Sequence, residues 1–248
     1  MRRHYGARRF DSLDTIRGVT LISMIAYHAS WELVYLYGVD WPFYHTVGAY
    51  WWQQSICWTF ILLSGYCFHL GSHRLKRGLM VFGGGVLVSL VTLFAMPDAP
   101  IICGVLTLLG SAMLLTIPLD RMLSRIPAGV GFAGNFLLFC LLRNVNAGFL
   151  GFERWNLLAL PDWLYRNTLT AFVGFPHDAF YSSDYFSLIP WLFLFWAGYF
   201  LYRIHRPDRG GVALPVVTAM GRRSLLIYLL HQPVIYGLLE LLFLLGIL

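Results

Sequence analysis

Residues 17–32 read "RGVTLISMIAYHASWE". An arginine opens the stretch, ten mostly apolar residues follow, and a single histidine, His28, interrupts the run. Apolar character extends from about residue 16 to about residue 37, enough helix at roughly 1.5 Å per residue to cross a bilayer core of about 30 Å. The rest of the chain agrees with that scale. Of its 248 residues, 58% are hydrophobic, 17% aromatic and only 12% charged. Soluble domains carry about 25% charged residues, so this chain lacks the charge to cover a water-facing surface. The sequence predicts an all-α, polytopic membrane bundle.

Seven segments qualify as spans or nearly so: about 16–37, 49–71, 78–96, 100–119, 128–143, 186–204 and 222–246. Long unbroken apolar runs favour helices, which satisfy their own backbone hydrogen bonds, over a barrel. The fifth segment is short and glycine-rich. The basic arm "MRRHYGARRF" precedes a long run with no clear small-x-small cleavage site, so the first segment reads as an uncleaved span. With the N-terminus placed in the cytoplasm, the inner segments are the arm through Arg17, 72–78, 119–127 and 202–223. They hold 15 of the 18 Lys and Arg residues, leaving Arg143, Arg154 and Arg166 outside. That asymmetry is what the positive-inside rule expects, with the C-terminus outside and the protein multi-pass in the plasma membrane. The 144–185 stretch is too long for an idle loop, and its aromatic content suits an interfacial or re-entrant segment over about 150–175. No repeat or second domain is evident, so residues 1–248 read as one domain.

Composition also excludes partners and cofactors. No basic run interleaved with aromatics marks a nucleic-acid site. Cys57, Cys67, Cys103 and Cys140 sit in apolar stretches without C-x-x-C spacing, so neither a disulfide framework nor a metal site is expected. Membrane lipid is the obligatory partner.

Polar groups at membrane depth are costly and become functional candidates by default. His28 lies roughly 18 Å from the charged start of its helix, and Arg17 precedes it by close to three full turns, on one face. The last span repeats the layout: Arg222 and Arg223 at the edge, His231 roughly 15 Å inward, and Ser224, Tyr228 and His231 along one stripe. Pro233 should loosen the backbone beside His231 and free a carbonyl there. Such histidines can also simply bond a main-chain carbonyl, and rim arginines can be topology signals alone. Asp184, at the outer end of the sixth span, reads either as a cap suited to the helix dipole or as a group that binds an acceptor. Ser64 and Gly65 fit close helix packing. His45, in the outer loop, is a further candidate.

The opening "RRFDSLDTIRGVTLISMIAYHASWEL", followed in order by "FILLSGY", "CGVLTLLGSAMLL", "DYFSLIPWLFLFWAGYFL" and "MGRRSLLIYLLHQPV", resembles bacterial proteins related to heparan-α-glucosaminide N-acetyltransferase. The D-Y-x-x-L-x-P-W element, which ends in Trp191, narrows the resemblance to that branch of the membrane acyltransferases. Thr107 stands where members often carry histidine. The resemblance implies transfer of acetyl from cytoplasmic acetyl-CoA to an amine or hydroxyl acceptor, a sugar or glycan, at the outer face, with a histidine central to the chemistry. It makes His28 and His45 the catalytic candidates. Arg17, Arg74, Lys76, Arg222 and Arg223 are then expected to hold CoA phosphates, with Ser224, Tyr228 and His231 along the acyl arm. Asp184 and Trp191 would meet the acceptor, and no metal is implied. His28 could act as general base or become transiently acetylated. A homodimer is compatible with this reading. The rival from another class is a proton-coupled transporter that relays protons through midplane histidines.

Overall fold

A computed structural model describes residues 10–207 and 211–247. The basic residues at 1–9 and the loop residues 208–210, which contribute to the expected charge asymmetry, lie outside the described residues. The chain is mostly helical, 71%. In order it forms α1 (Asp11–Tyr35), α2 (Val47–Tyr66), α3 (Arg74–Ala95), α4 (Val105–Leu123) and α5 (Ala128–Leu141). A hairpin of β1 (Phe149–Phe152) and β2 (Trp155–Ala159) follows, then α6 (Thr168–Val173), α7 (Leu188–Ile204), α8 (Pro215–Arg222) and α9 (Ser224–Leu244).

Each of the seven expected segments overlaps a helix. Three of them, α3, α4 and α9, are long and apolar enough to cross a membrane. Helices α5 and α7 are apolar but shorter. Helix α1 carries Asp11, Asp14, Arg17 and Glu32, and α2 carries Gln53 and Gln54, which dilutes their apolar character. Large apolar side chains stay exposed along α3 (Leu79, Leu87, Leu90, Phe94) and α9 (Leu230, Val234, Leu238, Leu241), a pattern that suits a lipid-facing helix.

The all-helical expectation needs one correction. Residues 149–159 form an antiparallel two-stranded hairpin with a register shift at Leu150/Gly151. Its tight turn holds Glu153 at φ 53°, and Gly148 and Gly151 also take positive φ. The Asn144 side chain donates to the Glu153 carbonyl at 2.8 Å, tying the turn back to the chain before β1. A 3-10 turn at Asp162–Tyr165 and the short α6 complete the segment. Trp155, Leu157, Trp163 and Leu169 are exposed on it.

The chain divides into two compact units, residues 1–60 with 207–248, and residues 61–206. In the first, α1 packs on α8 and α9. Gly18 and Gly221 make the α1–α8 approach reciprocal: a Cβ on Gly18 would strike the Val217 carbonyl oxygen, and one on Gly221 the Asp14 carbonyl oxygen. Thr15 and Thr218 share a buried hydroxyl pair at 2.7 Å across the same contact. Ion pairs from Arg222 to Asp11 (2.7 Å) and Asp14 (3.5 Å), and from Arg17 to Asp14 (2.9 Å), close that end. Leu21, Met24 and Ile56 form the core above it, covered by Tyr27, Trp52 and Ile227.

In the second unit, α3 packs on α4, and α7 packs on α4 and α5. Gly65 lies against the Phe195 carbonyl and Gly198 against the Leu62 carbonyl, a second reciprocal contact that fulfils the packing role expected of Gly65. Asp120 accepts from Arg74 and from the Tyr199 hydroxyl, both at 2.6 Å. Arg203 donates to the carbonyls of Leu123, at the end of α4, and of Ser124 and Ile126 just beyond it.

Candidate active site

The polar residues of α1 and α9 meet in the first unit. His28, eleven residues after Arg17 on α1, and His231, two residues before Pro233, place their ring centroids 5.0 Å apart at an angle of 50°. Helix α9 runs without a break through Pro233, from Ser224 to Leu244. The carbonyl that His231 uses is that of Tyr228, three residues earlier on α9, which its Nδ1 contacts. The Tyr228 ring lies 5.3 Å from the His231 ring. Gln232 reaches the other imidazole: its Nε2 is 3.2 Å from His28 Nδ1. His28 and Gln232 are half-buried, whereas His231 is only 7% exposed.

One turn beyond His28 on α1 lies Glu32, 4% exposed. Three buried polar atoms in this helix pair have no hydrogen-bond partner: Glu32 Oε2, His231 Nε2 and Gln232 Oε1. An unpaired buried polar atom costs about 1–3 kcal/mol, so three together are a poor way to build a merely structural contact. They are what a binding site for a polar ligand presents. Further along, Tyr37 donates to Glu240 at 3.0 Å, adding a second carboxylate to the same polar line. Sequence reasoning passed over Glu32 and Gln232. The signal for Glu32 was its position four residues after His28, on the same helical face.

The remaining candidates are distributed as follows. His45 ends a 3-10 turn, exposed, with its ring 6.0 Å from Tyr35. Arg17 and Arg222 are engaged by Asp14 and Asp11, while Arg223, exposed at the junction of α8 and α9, has no carboxylate partner among the described residues. In the second unit Arg74 pairs with Asp120 and lies 4.7 Å over the Phe68 ring, and Lys76 is exposed.

Asp184 caps a helix, but not its own. Its carboxyl takes the N–H of Val105, the first residue of α4, and burial pushes its pKa up to about 6 against the lowering effect of that bond. Burial likewise pushes the neighbouring Tyr185 hydroxyl up to about 12. Trp191 is 4% exposed, packed between Phe139 and Phe186 with the Arg143 guanidinium 4.8 Å over its ring. Among the described residues no group of three or more His, Cys, Asp or Glu side chains is placed to hold a metal ion.

Two imidazoles, a carboxyl group and an amide can accept and return a proton and polarise a carbonyl, the elements that acyl transfer needs. No curated protein and no solved structure matches the chain. A family profile described as heparan-alpha-glucosaminide N-acetyltransferase, catalytic, matches residues 9–233, a stretch that includes α1 and the His231–Gln232 pair. The chain therefore belongs to the heparan-α-glucosaminide N-acetyltransferase family of membrane acetyltransferases.

Proposed function

We propose that this protein takes an acetyl group from acetyl-CoA on the cytoplasmic side and passes it to an amine or hydroxyl of a sugar or glycan at the outer face. The observation that carries the reading is the His28–His231 pair, at 5.0 Å between ring centroids, with partnerless polar atoms on His231, Gln232 and Glu32 around it. The thioester reaches the pair from the end of α1 that carries Arg17. The acceptor reaches it from the end that carries Glu32, whose carboxyl group receives a second N–H or O–H of the acceptor beside the one that reacts.

The family and the apolar helices make this a membrane protein, and the proposal places it in the plasma membrane with several spans. For the CoA phosphates, cations not already neutralised are the stronger partners. Within the first unit Arg223 meets that condition among the described residues, while Arg17 and Arg222 would have to exchange an internal carboxylate for a phosphate.

The test is thermal unfolding of the purified protein with acetyl-CoA. A ligand that binds only the folded state at 100 times its Kd adds about 2.7 kcal/mol of apparent stability. Acetyl-CoA and CoA should both raise Tm, and Arg223→Ala should reduce the shift. No shift at millimolar acetyl-CoA, together with proton-coupled uptake by proteoliposomes, would replace this reading by a transporter.

A further inference from the structure

The hydrogen-bond partners of the two histidines favour opposite tautomers. His231 Nδ1 faces the Tyr228 carbonyl, an acceptor only, so Nδ1 must carry the ring proton. Neutral His231 therefore keeps a bare lone pair on Nε2, and Nε2 is one of the buried atoms with no partner. His28 Nδ1 faces the Gln232 amide nitrogen, a donor only, so with the amide oriented as in the structure Nδ1 is the acceptor and the proton sits on Nε2. One ring presents a base and its neighbour presents a donor, 5.0 Å apart between centroids.

We propose that His231 is the catalytic base of acetyl transfer, that His28 is the donor that polarises the thioester carbonyl, and that Gln232 is the positioning residue that fixes the His28 tautomer. This rests on the acetyl-transfer reading above and reverses the expectation that His28 is the base.

The step balances without another reactant. The acceptor's nitrogen or oxygen attacks the thioester carbon while its proton passes to the His231 Nε2 lone pair. The carbonyl π pair moves to oxygen, where His28 Nε2–H donates to it. Collapse of the tetrahedral intermediate breaks the C–S bond, and His231 returns the proton to the departing sulfur. CoA thiol and acetylated acceptor leave, and both rings are neutral again. Tyr228 contributes through its main-chain carbonyl, which favours Nδ1–H throughout and so keeps Nε2 as the nitrogen that gains and loses the proton.

The test has two arms. In the first, protein labelled with ¹⁵N-histidine in lipid nanodiscs is read by NMR, and the two rings are assigned by the signals missing in His28→Gln and His231→Gln. The expected pattern is a bare Nε2 on His231 and a protonated Nε2 on His28, with the His28 preference lost in Gln232→Leu. A protonated Nε2 on His231, or a bare Nε2 on His28, overturns the proposal whether or not turnover is ever measured.

The second arm follows CoA thiol release from acetyl-CoA with glucosamine as acceptor. Glutamine can donate but cannot serve as a base, so His28→Gln should keep activity within about tenfold of the parent. His231→Gln should lose on the order of 100-fold or more. The opposite order overturns the proposal. Absence of acetyl-CoA stabilisation in the parent protein instead removes the acetyl-transfer reading, and the tautomer arm still decides the placement of the protons.

Discussion

Replacing Glu32 by glutamine separates binding from folding at one atom. Glu32 is 4% exposed and its Oε2 has no donor. A buried polar atom left in that state costs about 1–3 kcal/mol, and more when it carries charge. Glu32→Gln preserves the shape of the side chain and removes any charge, so the empty protein should become more stable by about 1–2 kcal/mol. For a chain of this size that is a rise in Tm of roughly 2–8 °C. The acceptor, by contrast, loses a hydrogen bond to a carboxylate worth about 1.5–3 kcal/mol. Acceptor kcat/KM should fall about 10- to 150-fold, with acetyl-CoA stabilisation unchanged. Thermal unfolding and steady-state kinetics on one nanodisc preparation read both quantities. A variant with lower Tm and unaltered kcat/KM would show that the Glu32 carboxyl group supports the fold and meets no substrate.

Two further outcomes follow from the second unit. Burial pushes the Asp184 carboxyl up to about 6 in the folded protein, from 3.8 in a free aspartate side chain. The folded state therefore holds a proton that the unfolded chain has released, so the contribution of Asp184 to stability is greatest below about pH 4 and declines as pH rises through 6, by up to about 3 kcal/mol. Asp184→Asn keeps an oxygen for the Val105 N–H and should flatten that decline, and an unchanged pH–Tm profile would reject burial of Asp184 as its cause. Gly198→Val should cost about 1–3 kcal/mol or more, because its Cβ meets the Leu62 carbonyl, whereas Gly134→Ala, which faces open space, should stay within about 1 kcal/mol of the parent in denaturation measurements.

Helix positions were legible because apolar runs interrupted by Gly, Pro and charge leave little choice of boundary. The hairpin was not. Its aromatic composition is the same one that an interfacial helix would show, and its turn puts Glu153, not glycine, at positive φ, which hides the usual turn signal. The shared layout of rim cation and deep imidazole marked α1 and α9 as candidates, and the fold brings His28 and His231 together. What each ring does could not be read that way, because a tautomer is set by partners. Tyr228 contributes a carbonyl and Gln232 comes from α9 rather than from the helix of His28, and neither relation appears in local spacing. Asp184 shows the same limit. Its place beside the sixth segment suggested a cap for that segment, and only the folded chain reveals that it serves α4.

The reciprocal glycine contact between α1 and α8 has a mechanical consequence. Backbone touches backbone at Gly18 and Gly221, with ion pairs from Arg222 to Asp11 and Asp14 alongside, so these two helices cannot slide past each other without collision. Helix α9 is joined to α8 through Arg223, whose φ of −109° and ψ of 24° break the helical path. Access to the sealed imidazole thus falls to a swing of α9 about that joint. A covalent tether between α8 and α1 should leave turnover intact, and one between α9 and α1 should stop it.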